Sequence, residues 1–276
     1  MHIVTKLLLL FLVSQLLGVY SGIVVLYDYG RNPYVSGMMV TTDTSDPFNA
    51  VLFAALILIG AGLMIFLIKM FHLYDIVFQI MEFFLVAMAS SIVFYSIMRV
   101  VSGYEISMLT GIIFGLILSI LKRLTPLLKN TAAVLATAGV GVIFGLSLAP
   151  IPAILFLVFL SLYDYASVFI TKHMIEFANF VIRKDLAFTV TAKGVVAGKE
   201  RRIDLGTGDL IAPIILEVSV LPLGFYATAF VFLGAFTALC LFLFLVWEKR
   251  MVLPALPPLV FGMFMAFLAG MLLGLY

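Results

Sequence analysis

Two aspartates occupy positions where an apolar chain should not tolerate them. Asp164 interrupts the run from Pro152 to Ile170, and Asp209 opens the run that continues with Leu210, Ile211 and Ala212. A carboxylate inside a bilayer is costly, so an ionisable residue there marks a functional site by default. Two carboxylates on neighbouring segments suit acid–base hydrolysis. They cannot both ionise cheaply in a low-dielectric site, so they share a proton. One then takes a proton from water as it attacks a carbonyl, while the other donates to the developing oxyanion.

The elements that must carry these residues follow from composition. The chain has 276 residues, of which 64% are hydrophobic and 11% charged, against about 25% charged in soluble domains. That composition gives an all-α polytopic membrane protein, since a span needs about 20 apolar residues. A membrane barrel would instead alternate polar and apolar residues in strands of about ten. Nine spans are predicted: Ile3–Leu26, Phe48–Ile68, Ile76–Met98, Ile106–Leu121, Thr131–Ala149, Pro152–Ile170, Leu210–Leu223, Tyr226–Val246 and Leu253–Tyr276. The seventh is short and carries Pro213 and Glu217. The first is read as an anchor rather than a cleaved signal peptide, because no small-x-small cleavage site follows promptly.

With nine spans, fourteen of the sixteen Lys and Arg residues fall on one side. Only Arg31 and Arg99 fall on the other. The positive-inside rule then places the N-terminus in the cytoplasm and the C-terminus outside. The consecutive sixth and seventh spans run antiparallel and join on the cytoplasmic side. Asp164 lies eight residues before Lys172, or about 12 Å along a helix. Asp209 lies seven residues after Arg202, so both acids can meet at similar depth.

One loop, from about Thr171 to Gly206, is long enough to carry structure. Lys172–Asp185 reads as an amphipathic helix, with Met174, Phe177, Ala178 and Val181 on one face. Leu186–Ala192 and Arg201–Leu205 read as a short β-hairpin leading into Gly206-Thr207-Gly208-Asp209. Gly206 and Gly208 remove side chains beside Asp209, which lets a substrate backbone approach. Pro254-Ala255-Leu256, followed by Pro257 and Pro258, lies four residues after Arg250. It is read as irregular backbone up to about Pro258, lining a cavity.

Other ionisable and polar residues have simpler readings. His2, His72 and His173 lack metal-ligand spacing, and the lone Cys240 can form no internal disulfide. No metal or other cofactor is expected. Asp28, Asp43 and Asp46 form part of the first external loop with Arg31, and lack the oxygen-rich pattern of a calcium site. Glu217 is assigned a structural hydrogen bond, and Gln79 and Glu82 are assigned to holding the bundle together. The net charge of +2 argues against nucleic-acid binding.

Three motifs resemble one family. Tyr163-Asp164, Gly206-Thr207-Gly208-Asp209 and Pro254-Ala255-Leu256 are similar to the YD, GxGD and PAL signatures of the presenilin and signal peptide peptidase family of intramembrane aspartyl proteases. The resemblance implies Asp164 and Asp209 as the catalytic pair. Tyr163, Gly206, Thr207, Gly208, Pro254, Ala255 and Leu256 would shape the active site. It also implies one transmembrane domain over residues 1–276, with scaffold spans in 1–149 and catalytic spans in 150–276. Implied substrates are single-span membrane proteins or signal peptides, with the lipid bilayer as surroundings and no obligatory protein subunits. The inferred orientation looks like presenilin rather than signal peptide peptidase. The loop before Gly206 is short for presenilin, which argues against self-cleavage and for a single-chain enzyme of microbial type.

Two other classes share part of this pattern. Prepilin-type peptidases also use a GxGD aspartate in the membrane, but they lack a late PAL segment. Transporters use intramembrane acids as proton relays, and a relay would spread them across the full thickness rather than cluster them at one end.

Overall fold

The computed structural model describes residues 3–32, 35, 37–41, 43–70, 74–169, 186–196, 199–249 and 254–276. Among them are nine helices: α1 Ile3–Asp28, α2 Phe48–Met70, α3 Tyr74–Met98, α4 Tyr104–Leu124, α5 Lys129–Ser147, α6 Pro150–Phe169, α7 Thr207–Ser219, α8 Phe225–Lys249 and α9 Leu256–Leu272. Short 3₁₀ turns, Pro126–Leu128 and Leu221–Leu223, link α4 to α5 and α7 to α8. Six of the helices are long and apolar enough to cross a membrane by themselves, and Leu256–Leu272 is a shorter apolar helix. The amphipathic helix predicted over Lys172–Asp185 lies outside the described residues.

Helix α7 has only 13 residues and is buried through most of its length. It packs against α1, α5, α6, α8 and α9. Two glycine pairs make this close packing possible. A Cβ on Gly18 of α1 or Gly141 of α5 would lie 2.6 Å or 2.5 Å from Ile214 Cγ2. One turn on, a Cβ on Gly22 would lie 2.8 Å from Val218 Cγ2, and one on Gly145 2.7 Å from Val218 Cβ. Small residues spaced four apart let helix backbones approach in a membrane, where packing rather than hydrophobic exclusion drives association. The helix that begins beside Asp209 is therefore gripped from two sides.

Aromatic packing fixes α6. Phe156 stacks on Phe144 of α5 at 6.0 Å and meets Phe53 of α2 edge-on at 6.1 Å. Phe53 also meets Phe144 at 5.3 Å. All three helices are thus pinned about two turns from Asp164.

The hairpin consists of β1 Thr189–Val196 and β2 Lys199–Gly206, antiparallel, with Thr189 opposite Gly206 and Thr191 opposite Asp204. Its first strand starts three residues later than the predicted Leu186–Ala192, and both strands run further toward the turn than predicted. The Asn130 side chain on α5 grips β1: Thr191 N–H donates to Asn130 Oδ1 at 2.9 Å, and Asn130 Nδ2 donates to Thr191 O at 2.8 Å. Lys6 Nζ donates to Lys193 O at 3.1 Å. Glu82 of α3 accepts from both Lys122 Nζ and the Ala187 N–H, while Arg123 donates to Gln79 at 3.2 Å. Glu82 and Gln79 therefore do hold the bundle together, and Glu82 also anchors the approach to the hairpin.

At the other end, Asp28 is buried and pairs with Arg99 rather than Arg31. Arg99 Nε and a terminal nitrogen donate to its two oxygens at 2.7 Å and 3.1 Å, and Tyr95 OH donates at 2.5 Å. Arg31 instead covers the Tyr27 ring at 4.0 Å. The reason is reach: α1 continues through Asp28, which directs that side chain into the bundle toward α3. Asp43 and Asp46 serve local turns, accepting from Ser45 and from the Phe48 N–H at the start of α2.

Candidate active site

Asp164 lies in the last two turns of α6 and Asp209 in the first turn of α7, so one connection places both at the hairpin end of the bundle. Both are half-buried, and their carboxylates lie within electrostatic range of each other. Tyr163 is half-buried and also within electrostatic range of Asp164. Both acids therefore stand at the same end of the bundle.

Asp164 is met by a backbone N–H from another of the sequence motifs, and Asp209 by the first glycine of its own. The Leu256 N–H donates to Asp164 Oδ2 at 3.3 Å. The Asp209 carboxylate folds back on to the Gly206 N–H, and a Cβ on Gly206 would stand 3.3 Å from Asp209 Oδ2. Glycine at 206 leaves room for that return. Gly208 is exposed, and a Cβ there would meet nothing within 4 Å. The space that the sequence reading required for a substrate backbone is therefore open at Gly208.

Thr207 ties the site to the hairpin. Its N–H and Oγ1 both donate to Phe188 O at 3.1 Å, so α7 starts where the strand pairing ends. Pro213 sits inside α7. It has no N–H, so the carbonyl of Asp209, four residues earlier, gains no helical hydrogen bond. The next carbonyl, Leu210 O, accepts from Gln15 Nε2 of α1 at 3.1 Å.

Pro254 and Ala255 are buried and irregular, as expected. The helix that follows begins earlier than predicted, at Leu256 rather than after Pro258, with Pro257 and Pro258 in its first turn. First-turn N–H groups have no helical partner, so proline loses nothing there and its fixed φ favours the helix. The early start presents the Leu256 N–H at the helix mouth, where Asp164 accepts it.

Glu217 departs from its expected role. It is fully buried, and among the described residues neither carboxyl oxygen has a hydrogen-bond partner. Its backbone carbonyl accepts from Thr228 Oγ1 at 3.3 Å. Gln15 and Asn130 went unnoticed in the sequence reading. A glutamine inside a long apolar span was a visible signal. An asparagine at a helix start carries no comparable signal.

Residues 8–274 match the family described as signal-peptide peptidase, presenilin aspartyl protease. The chain belongs to this family. It is a multi-pass intramembrane aspartyl protease, whose family acts on transmembrane helices within the membrane. Among solved structures, it is similar to a presenilin family intramembrane aspartate protease in two crystal forms. In the P2 form the TM-score is 0.69 with 24% identity, over 97% of each chain. In the C222 form it is 0.66 with 22% identity, over 98% of this chain and 97% of that one. At these identities the likeness speaks for the fold. No curated protein sequence gives a significant match.

Proposed function

We propose that Asp164 and Asp209 are the catalytic pair of this protease. The observation that carries the reading is their convergence: two acids from consecutive helices lie within electrostatic range, Asp164 facing the Leu256 N–H of a third motif and Asp209 lying beside Gly206 of its own. With one proton between them, the ionised carboxylate takes a proton from water as the water oxygen bonds to the scissile carbonyl carbon. The protonated carboxyl donates to the carbonyl oxygen as its π bond opens. Collapse of the resulting gem-diol breaks the C–N bond, and the nitrogen leaves with a proton from the pair. Tyr163, Thr207 and the segment Pro254–Leu256 shape the site around this exchange.

Substrates are single-span membrane proteins or signal peptides, bound as an extended segment along the hairpin. Strand pairing selects the edge. Both backbone groups of Thr191 point to Asn130, so Thr191 and Asp204 form a non-hydrogen-bonded pair. In an antiparallel ladder this directs the N–H and C=O of Asp204, Arg202 and Gly206 away from β1. The outward Gly206 N–H is the one that faces Asp209. A substrate strand added to β2 is therefore led to the aspartates, and its backbone pairing tolerates many sequences.

Residues 1–276 form one transmembrane domain, with α1–α5 as scaffold and α6–α9 carrying the chemistry. The enzyme works as a single chain without obligatory subunits. Its N-terminus is cytoplasmic and its C-terminus extracytoplasmic, which puts the lysine-rich hairpin end inside. Purified protein in detergent should cleave a single-span model substrate, with fragments identified by mass spectrometry. Asp164→Ala and Asp209→Ala should each abolish cleavage, and full activity in either variant would remove the assignment.

A further inference from the structure

Gln15 lies inside the apolar helix α1 and is fully buried, with 0% exposure. Its Nε2 donates to Leu210 O of α7 at 3.1 Å and to Ser14 Oγ at 3.1 Å. Those partners fix which way the amide points. Leu210 O can only accept, and Ser14 Oγ already donates to Phe11 O at 2.7 Å, so the nitrogen must face them. The other end of the amide is unmatched: among the described residues, Gln15 Oε1 has no hydrogen-bond partner. A buried acceptor left unmatched is destabilising. An unbranched apolar side chain would avoid that cost, since Leu210 O can still take the Ile214 N–H of its own helix. Stability alone does not explain this glutamine.

What the bond holds is the first turn of α7, where Asp209 immediately precedes Leu210. Pro213 denies Asp209 O its helical partner, and a proline ring crowds the carbonyl four residues before it. The residue that bears the carboxylate is therefore not tied down by its own helix ladder. It is fastened from outside on both flanks instead. Thr207 is held by Phe188 O at 3.1 Å, and Leu210 is held by Gln15. The Gln15 bond also begins a seam between α1 and α7, in which Gly18 then receives Ile214 and Gly22 receives Val218. We infer that Gln15 is a positioning residue for Asp209, fixing the first turn of α7 so that the carboxylate stands in working register with Asp164. The inference rests on the reading of Asp164 and Asp209 as the catalytic pair. It assigns a residue of the first helix, outside all three motifs, to the upkeep of the site's geometry.

The test compares Gln15→Met, which keeps the unbranched shape without a donor, with Gln15→Glu, whose protonated carboxyl can still donate to Leu210 O. Cleavage of a single-span model substrate by the intact protein in detergent supplies kcat and KM, and thermal unfolding supplies stability. Small misplacements of a reacting group are costly in rate, so Gln15→Met should lose roughly 10-fold in kcat with KM within about twofold of wild type. Its unfolding temperature should stay level or rise, because the unmatched acceptor has gone. Gln15→Glu should keep kcat within about threefold of wild type. Ser14→Ala, which leaves the Leu210 bond in place, should cleave as wild type does. Wild-type kcat in Gln15→Met, with Asp209→Ala inactive, would overturn the positioning role alone. Full activity in Asp209→Ala would instead remove the catalytic pair on which that role rests. A Gln15→Met variant that unfolded at a lower temperature, or a Gln15→Glu variant equally slow, would mark the glutamine as structural and overturn the role as well.

Discussion

The Leu256 N–H donates to Asp164 Oδ2 across 3.3 Å, joining the mouth of α9 to the end of α6. A donor to a carboxylate stabilises its ionised form and holds its orientation. Replacing the Leu256 amide by an ester removes this donor and keeps the side chain. Hydrogen bonds to charged groups contribute about 1.5–3 kcal/mol, so kcat should fall roughly 10- to 100-fold with little change in KM. Leu256→Ala, which keeps the N–H, should fall much less. Equal losses in the two would assign the role to the side chain instead.

The proposed sharing of one proton between Asp164 and Asp209 predicts a kinetic signature. Below the first of the pair's two titrations neither carboxylate can act as base, and above the second neither can act as acid. The rate of cleavage against pH should therefore be bell-shaped, with both limbs belonging to the pair rather than to either residue. A profile flat across either limb would rule out a coupled dyad.

Asn130 caps the inner edge of β1 with two hydrogen bonds to Thr191. At about 1 kcal/mol each, their loss in Asn130→Leu should speed exchange of the Thr191 amide roughly 30-fold. Amide exchange read residue by residue checks this directly. Exchange at wild-type rate would mean the hairpin is held by something other than this cap.

Helix α5 also approaches α3 too closely for any side chain at Gly139. A Cβ there would stand 1.8 Å from Ala89 O, a backbone atom that cannot step aside. Gly139→Ala should cost about 3 kcal/mol by overpacking, seen as a lower unfolding temperature in detergent. Gly60→Ala, where a Cβ meets nothing within 4 Å, provides the comparison and should leave that temperature unchanged or raise it.

The helices were legible because a bilayer demands long apolar runs, and the three motifs were legible because they set acids, glycines and prolines together at the edges of those runs. The hairpin showed itself through β-branched residues in Thr189-Val190-Thr191. Backbone donors gave no such signal. Nothing in the side chain of Leu256 announces that its N–H serves Asp164, and three nearby prolines pointed away from a helix that in fact starts with them. Asp28 looked like a loop acid because its true partner, Arg99, is distant in sequence. Glu217 was assigned a partner by the general rule for buried polar groups, yet among the described residues its carboxyl oxygens have none.

Helix α7, with 13 residues, is about 20 Å long, short of the ~30 Å hydrocarbon layer. Five other helices surround it, so lipid never meets the shortfall and the bilayer need not thin to match it. The depth at which Asp209 sits is thus a fixed dimension of the protein, set by its own glycine-lined sleeve. Membranes of different thickness would change how far a substrate must be drawn down, but not where it is cut relative to the enzyme.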